Sequence, residues 1–169
     1  SEIEFAFNFS KSKIIGITGS NGKTTTTTLV HKLISDANIS CSISGNIGNS
    51  FSKVCEDSVQ YSTVELSSFQ LDGVEKFRPH IAILTGISPD HLDRYKNYNA
   101  YIEAKFKITK NQSENDYLIY NSDCDETNKY IKTNNINSIL LPFSIKKKVE
   151  RGAYYLNNEI NIIIGKNKI

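Results

Sequence analysis

The sequence lacks a charge imbalance, a long apolar run and a regular arrangement of cysteines, and each absence removes a class of protein. Its 169 residues carry 20 basic and 18 acidic side chains, and a net charge of +2 is too small to favour nucleic-acid binding. No apolar stretch has the length of a membrane span, and residues 1–4 do not resemble a signal peptide. Cys41, Cys55 and Cys124 lack metal-ligand spacing, which is typical of reduced thiols in a cytoplasmic protein. We therefore expect one soluble, monomeric domain of ordinary size.

A glycine-rich turn follows the first apolar run, Ile14–Ile17, and leads into a segment with helical periodicity. This order of strand, turn and helix predicts a phosphate-binding loop, although Gly16 to Gly22 is one residue longer than the standard spacing. Glycines allow backbone N–H groups to converge on phosphate oxygens. Lys23 would reach the β- and γ-phosphates, and the Thr24 hydroxyl stands where a Mg²⁺ ligand is needed. The predicted nucleotide contacts are Gly19, Ser20, Asn21, Gly22, Lys23, Thr24 and Thr25. A plain glycine turn that happens to contain lysine is the disfavoured alternative, because both flanking elements agree with the motif.

Strand-like and helix-like segments alternate along the chain, which predicts an α/β fold with a mostly parallel sheet flanked by helices. Residues 1–12 are expected to form an entry segment, and Pro142 is expected to close a strand. Asn157-Asn158 predicts the turn of a small C-terminal β-hairpin. The predicted strands are 13–18, 40–44, 61–65, 81–85, 116–120, 138–141, 153–156 and 159–164, and the predicted helices are 23–37, 98–110 and 123–133.

Ligands of parallel sheets bind at the carboxyl ends of the strands, and several polar features follow strands here. They are the phosphate loop, a second glycine turn at Gly45–Gly48, Glu65 and a loop around His91. Glu65 could ligate Mg²⁺ or orient water, or it could be a helix cap or a surface acid. His91 could ligate metal, contact substrate or cap its loop.

Lys105 stands out because it falls on the apolar stripe of its predicted helix. It lies seven residues after Tyr98, four after Tyr101 and three after Ile102. A lysine on an inward face extends its ammonium to the rim, pairs with another group, or remains desolvated with a changed chemistry. If it is desolvated, its neutral amine could react with CO₂ and become a carbamate, a metal-binding anion.

These motifs together resemble the Mur ligase family. The resemblance rests on Gly19–Thr25, Gly45–Gly48, Glu65–Leu71, Asp90–Tyr95 and Glu103–Lys105, which occur in the family's order. The string Glu65-Leu66-Ser67-Ser68-Phe69-Gln70-Leu71 is the specific one, and it is similar to the branch that adds D-glutamate to UDP-MurNAc-L-alanine. The resemblance implies the family's P-loop NTPase-like central domain over residues 1–169, without the N-terminal UDP-binding and C-terminal D-glutamate-binding domains.

The same resemblance implies a ligase reaction and a role for each matching residue. ATP would phosphorylate the substrate carboxylate, and the amine of D-glutamate would attack the acyl phosphate. Lys23, His91 and Lys105 would be catalytic. Thr24 and Glu65 would hold one Mg²⁺, while His91 and a carbamylated Lys105 would hold a second. Asn46 and Ser67 would contact the muramoyl-alanine end of the substrate.

One departure and three alternatives accompany this interpretation. Gly86 stands where the family usually has asparagine, which predicts a looser loop before His91. Another ligase of the superfamily, similar to folylpolyglutamate synthase, is disfavoured by the Ser-Ser-Phe-Gln string. A nucleotide switch that ligates nothing is disfavoured because such modules usually carry an apolar strand ending in Asp, whereas the candidates here are Glu65 and a strand ending in Thr85. An inactive fragment that serves as a folding unit is compatible with the family assignment. The domain alone is expected to bind nucleotide weakly and not to complete ligation.

Overall fold

A computed structural model of the chain describes residues 1–89 and 94–165, and the backbone of 167–168. A nine-stranded sheet runs through it in the order β2-β3-β1-β4-β5-β6-β7-β8-β9. The strands from β2 to β7 are parallel to their neighbours, and β8 and β9 are added antiparallel. The strands are β1 (Lys13–Thr18), β2 (Cys41–Gly45), β3 (Tyr61–Glu65), β4 (Ile81–Leu84), β5 (Tyr117–Asn121), β6 (Ile139–Ser144), β7 (Gly152–Leu156), β8 (Glu159–Ile164) and β9 (Asn167–Lys168). The helices are α1 (Glu2–Phe9), α2 (Lys23–Asp36), α3 (Phe51–Val54), α4 (Ser68–Asp72), α5 (Tyr98–Phe106) and α6 (Asp125–Thr133), with a 3₁₀ turn at Lys107–Thr109.

The helices divide unequally between the two faces of the sheet. The side chains of α2, including Val30 and Ile34, pack on a small cluster formed by Ile15, Ile17 and Ile83. The larger core lies on the opposite face, where α1, α3, α4, α5 and α6 pack against the other side of the strands. Within the described ranges, no helix combines the length and apolarity needed to cross a bilayer. The predicted mostly parallel α/β sheet is confirmed.

Local patterns located most of the central elements correctly. β1 has its predicted bounds, and the C-terminal hairpin forms around Asn157 and Asn158, whose φ angles are +52° and +63°. Asparagine tolerates this left-handed conformation better than most residues. The predicted helix from Tyr98 begins as expected, because the Asn97 side chain accepts a hydrogen bond from the N–H of Ala100.

One sequence-based expectation was incomplete and one was wrong. The entry segment, residues 1–12, contains a helix that was not predicted: α1 forms there, with Ile3 and Ala6 fully buried. Pro142 does not end a strand but lies inside β6. The pairing of β6 with β7 begins only at Phe143, so proline, which has no N–H to donate, stands just before that ladder starts. The short helices α3 and α4 were not predicted.

The carboxylate of Glu4 explains why α1 is held against the rest of the domain. It accepts hydrogen bonds from the backbone N–H groups of Glu75, Lys76 and Phe77 at 2.8–3.0 Å. Burial by itself raises the pKa of Glu4, but these three donors hold the pKa below its usual value. The charged form is therefore the one that stabilises the native chain.

Glu4→Gln is expected to lower the free energy of unfolding by on the order of 1–2 kcal/mol at neutral pH, because the amide replaces a charged acceptor of three N–H groups. The contribution is fully present above the unfolded carboxyl's pKa of 4.5 and is lost as the pH falls through the lower folded value. Urea unfolding at pH 7 and near pH 3 measures both effects. Glu75→Gln, which removes the same charge from an exposed side chain, is the control. A Glu4→Gln deficit that does not shrink in acid would contradict the assignment.

Candidate functional site

The predicted phosphate loop lies between β1 and α2. Gly19 and Gly22 have φ angles of +149° and +80°, which favour glycine, and α2 begins at Lys23 without a side-chain cap. The amides at this helix terminus are therefore available to an anion. The Lys23 ammonium donates to the carbonyl oxygens of Gly19 and Ser20 at 3.0 and 2.9 Å. It thus lies directly over the loop whose ligand it is predicted to contact.

Glu65 ends β3 beside this loop and is 2% exposed. The Thr24 hydroxyl donates to its Oε2 at 2.8 Å, and the Asn46 amide donates to its Oε1 at 3.1 Å. The alternatives of a surface acid or a helix cap for Glu65 were wrong, because the side chain is buried and Ser67 caps the helix that follows.

The donor set around Glu65 suits Mg²⁺. A buried carboxylate next to a hydroxyl is a pair of oxygen ligands, and Mg²⁺ usually takes one or two protein carboxylates and completes its shell with phosphate oxygens and water. The part of the chain that the structure describes contains no group of three or more His, Cys, Asp or Glu side chains that could bind a metal. Thr24 and Glu65 therefore fit a metal bound jointly with a nucleotide better than a metal enclosed by protein ligands alone.

The two predicted substrate contacts lie at the same edge of the sheet. Asn46 is fixed twice to Glu65, through its side chain and through its backbone N–H, which donates to the Glu65 carbonyl at 2.9 Å. Ser67 is the N-cap of α4: its hydroxyl accepts from the N–H of Gln70, and the Gln70 side chain accepts from the N–H of Ser67. Ser-x-x-Gln is a capping-box pattern, so the sequence already contained the signal for α4.

Lys105 is a buried residue of α5, with 2% of its surface exposed. Its Nζ lies 4.9 Å from the centroid of the Tyr101 ring. The alternative in which the ammonium reaches the rim was therefore wrong. His91, with Asp90, Leu92 and Asp93, lies outside the described residues.

Sequence reasoning did not identify the segment after β4 as a support of the phosphate loop. The Thr85 hydroxyl donates to the Asn21 carbonyl at 2.7 Å, and the Gly86 carbonyl accepts from the N–H of Ser20 at 2.9 Å. The side chain of Asn121 donates to the Thr85 carbonyl at 3.2 Å. Gly86 itself has a φ of +146°. Gly86 predicted a looser loop, but the backbone carbonyls of Thr85 and Gly86 both accept hydrogen bonds.

Gly19→Ala is expected to lower the free energy of unfolding by about 2–4 kcal/mol, from steric overlap and backbone strain. An added Cβ would lie 1.9 Å from Thr85 Oγ1 and 3.1 Å from the Gly86 carbonyl oxygen. Gly48→Ala is the matched control, since Gly48 also has a positive φ, +63°, but nothing within 4 Å of an added Cβ. Its cost is expected to be about 1–2 kcal/mol, from backbone strain alone. Equal unfolding midpoints in urea for the two variants would contradict this packing.

The chain matches the family described as Mur ligase middle domain over residues 17–166. It is 53% identical to the UDP-N-acetylmuramoylalanine–D-glutamate ligase of Christiangramia forsetii, over 99% of this chain and 38% of that protein. It is 44% identical to the ligase of the same name from Bacteroides fragilis, over 96% of this chain and 37% of that protein. The chain thus spans little more than a third of the length of these curated relatives.

Solved structures of the same fold have more distant sequences. UDP-N-acetylmuramoyl-L-alanyl-D-glutamate–2,6-diaminopimelate ligase superposes with a TM-score of 0.70 at 23% identity, over 90% of this chain and 36% of that one. MurF ligase from Thermotoga maritima, solved in complex with ADP, superposes with a TM-score of 0.68 at 19% identity, over 94% of this chain and 39% of that one. These likenesses establish the fold.

Proposed function

This chain belongs to the Mur ligase family, and we propose that it is the ATP-binding middle domain of a ligase that joins D-glutamate to UDP-MurNAc-L-alanine. The observation that carries the proposal is the contact of Thr24 with the buried carboxylate of Glu65 beside the phosphate loop. A hydroxyl and a carboxylate in contact are a pair of oxygen ligands of the kind that Mg²⁺ takes beside a bound nucleotide, which supports the proposal. The D-glutamate ligases named above, similar over nearly the whole chain, support the choice of substrates.

The reaction brings two anions together, the substrate carboxylate and the γ-phosphate of ATP. Cations between them would reduce their electrostatic repulsion. The phosphate loop binds the phosphates through the amides at the start of α2, and Lys23 turns from the loop carbonyls towards them. Thr24 and Glu65 would hold the first Mg²⁺, which would neutralise charge on the phosphates. His91 and a carbamylated Lys105 would hold the second, and Asn46 and Ser67 would contact the muramoyl-alanine end. Phosphorylation gives an acyl phosphate, whose carbon the amine of D-glutamate attacks, and phosphate leaves.

A cytoplasmic location fits this function, because the substrates and ATP are cytoplasmic metabolites of cell-wall synthesis and the three cysteines are free thiols. A nucleotide switch is the second candidate function, and the phosphate loop by itself would serve either. The buried Glu65 at the end of β3 favours the ligase, since the switch interpretation expects an aspartate at such a strand end.

Exchange of the matching segment in a relative tests the proposal. We would replace the corresponding residues of the Christiangramia forsetii ligase by this chain and measure ATP-dependent incorporation of D-glutamate into UDP-MurNAc-L-alanine. An active chimera, silenced by Glu65→Gln, is the expected result. Glu56→Gln, an exposed acid in the same chain, is the matched control and should retain activity. A folded chimera that binds ATP but forms no amide would favour the switch instead.

A further inference from the structure

The side chain of Ser20, within the phosphate loop, makes its hydrogen bonds to the protein. Ser20 is 7% exposed. Its hydroxyl donates to the Ser88 carbonyl at 2.9 Å, accepts from the Ser88 N–H at 3.0 Å, and lies 3.0 Å from the Tyr101 hydroxyl. A serine hydroxyl has one proton and two lone pairs. The single proton is used towards the Ser88 carbonyl or the Tyr101 hydroxyl, and the Ser88 N–H occupies a lone pair, so the hydroxyl has no proton left to donate to a phosphate oxygen.

The backbone N–H of Ser20 also bonds the segment after β4. It donates to the Gly86 carbonyl at 2.9 Å. Next to it, the Asn21 carbonyl accepts from the Thr85 hydroxyl at 2.7 Å. This part of the loop therefore faces the segment 85–88 rather than a ligand.

The partners of Ser20 belong to the segment after β4 and to α5. These elements carry His91 and Lys105, the two residues proposed to hold the second metal ion. Ser88 precedes His91 by three residues in the sequence. Tyr101 lies one turn before Lys105 on α5, and its ring is under the Lys105 ammonium. A single hydroxyl thus joins the phosphate loop to the segment after β4 and to α5.

We propose that Ser20 is a positioning residue that transmits the position of the phosphate loop to segment 85–88 and to α5, and that it is not a phosphate ligand. This assignment replaces the direct nucleotide contact that the loop motif predicts for Ser20. It rests on the proposed function, because the transmission matters only if nucleotide occupies the loop while Lys105 serves the same reaction.

Ser20→Ala tests the assignment through backbone amide exchange and nucleotide affinity in the same chain. Without nucleotide, the Ser88 amide is expected to exchange about tenfold faster in the variant, because it loses its acceptor. Affinity for Mg·ADP is expected to stay within about threefold of the native value, whereas Lys23→Ala lowers it by about 10- to 100-fold. Mg·ADP should slow exchange in 85–88 and α5 of the native chain but not of Ser20→Ala. This last measurement separates transmission from a purely structural role.

Two further variants keep the test decisive if Ser20→Ala folds poorly. Tyr101→Phe should leave the Ser88 amide slow while α5 no longer responds to Mg·ADP. Ser88→Ala removes the hydroxyl that accepts a long bond of 3.4 Å from the Asn21 side chain but keeps the backbone groups that bond Ser20, so the Ser88 amide should stay slow. An unchanged Ser88 amide in Ser20→Ala, an affinity loss equal to that of Lys23→Ala, or an undiminished α5 response in Tyr101→Phe would each overturn the proposal. Failure of the native chain to bind Mg·ADP would count against the proposed function, and the exchange rate of Ser88 without nucleotide would still decide the role of Ser20.

Discussion

Lys23→Ala is expected to weaken the binding of ATP with Mg²⁺ to this chain by about 10- to 100-fold, the effect of losing charge-assisted hydrogen bonds. In the structure the ammonium bonds the carbonyl oxygens of Gly19 and Ser20, at the start of α2. Phosphate oxygens are stronger acceptors for it than neutral carbonyls, so the lysine gains interaction energy by turning to the ligand. Isothermal calorimetry at low ionic strength measures the difference, since screening weakens such contacts.

Lys32→Ala is the matched control for this measurement. Lys32 lies on the same helix, its side chain is 68% exposed, and it pairs with Asp36 at 2.8 Å. Its removal changes the net charge equally but should alter affinity by less than about twofold. Equal losses in the two variants would show that Lys23 acts only through net charge. A folded native chain that does not bind ATP would contradict an autonomous phosphate site and would count against the proposed function.

The sequence predicted those parts of the site that depend on short-range order and on the rule for parallel sheets. The phosphate loop follows from glycines between an apolar run and a helical segment. The place of Glu65 beside it follows because β1 and β3 are parallel neighbours, in which Ile17 pairs with Glu65. The inward position of Lys105 follows from its spacing to Tyr101, but the spacing did not decide whether its ammonium reached the rim.

What the sequence did not predict depends on contacts between distant segments. α1 is held by Glu4, which bonds N–H groups 71 to 73 residues away. The attachment of Ser20 to Ser88 spans 68 residues, and its contact with Tyr101 spans 81. A serine in a phosphate loop has the same local pattern whether its hydroxyl faces a ligand or another loop. Only the fold distinguishes the two cases, and it does so by engaging the hydroxyl's proton and a lone pair.

Lys105 is expected to take up CO₂ as a carbamate, and its replacement is expected to abolish ligation. The side chain is 2% exposed, and its Nζ is 4.9 Å from the Tyr101 ring centroid. The neutral form of a lysine amine can attack the carbon of CO₂, forming an N–C bond and releasing a proton. The product would be an anion with two oxygen ligands, which suits the second metal ion of the proposed function. A cation at the same place would repel that metal.

The measurement uses the native chain equilibrated with ¹³C-bicarbonate and followed by ¹³C NMR, together with activity of the chimeric ligase. A labelled carbamate resonance is expected in the native chain and should be absent in Lys105→Arg, which keeps the positive charge but does not form the adduct. Lys107→Arg is the control, because Lys107 bonds Asp72 at 2.8 Å and its side chain is 39% exposed. In the chimera Lys105→Arg should lower the ligation rate by roughly 100-fold or more, as loss of a metal ligand does, and Lys107→Arg by less than about twofold.

A resonance that persists in Lys105→Arg, or a fully active Lys105→Arg chimera, would place the metal-binding anion elsewhere. If the Lys105→Arg chimera is inactive and the native chain shows no carbamate, the buried ammonium itself serves the reaction and the second metal has a different ligand.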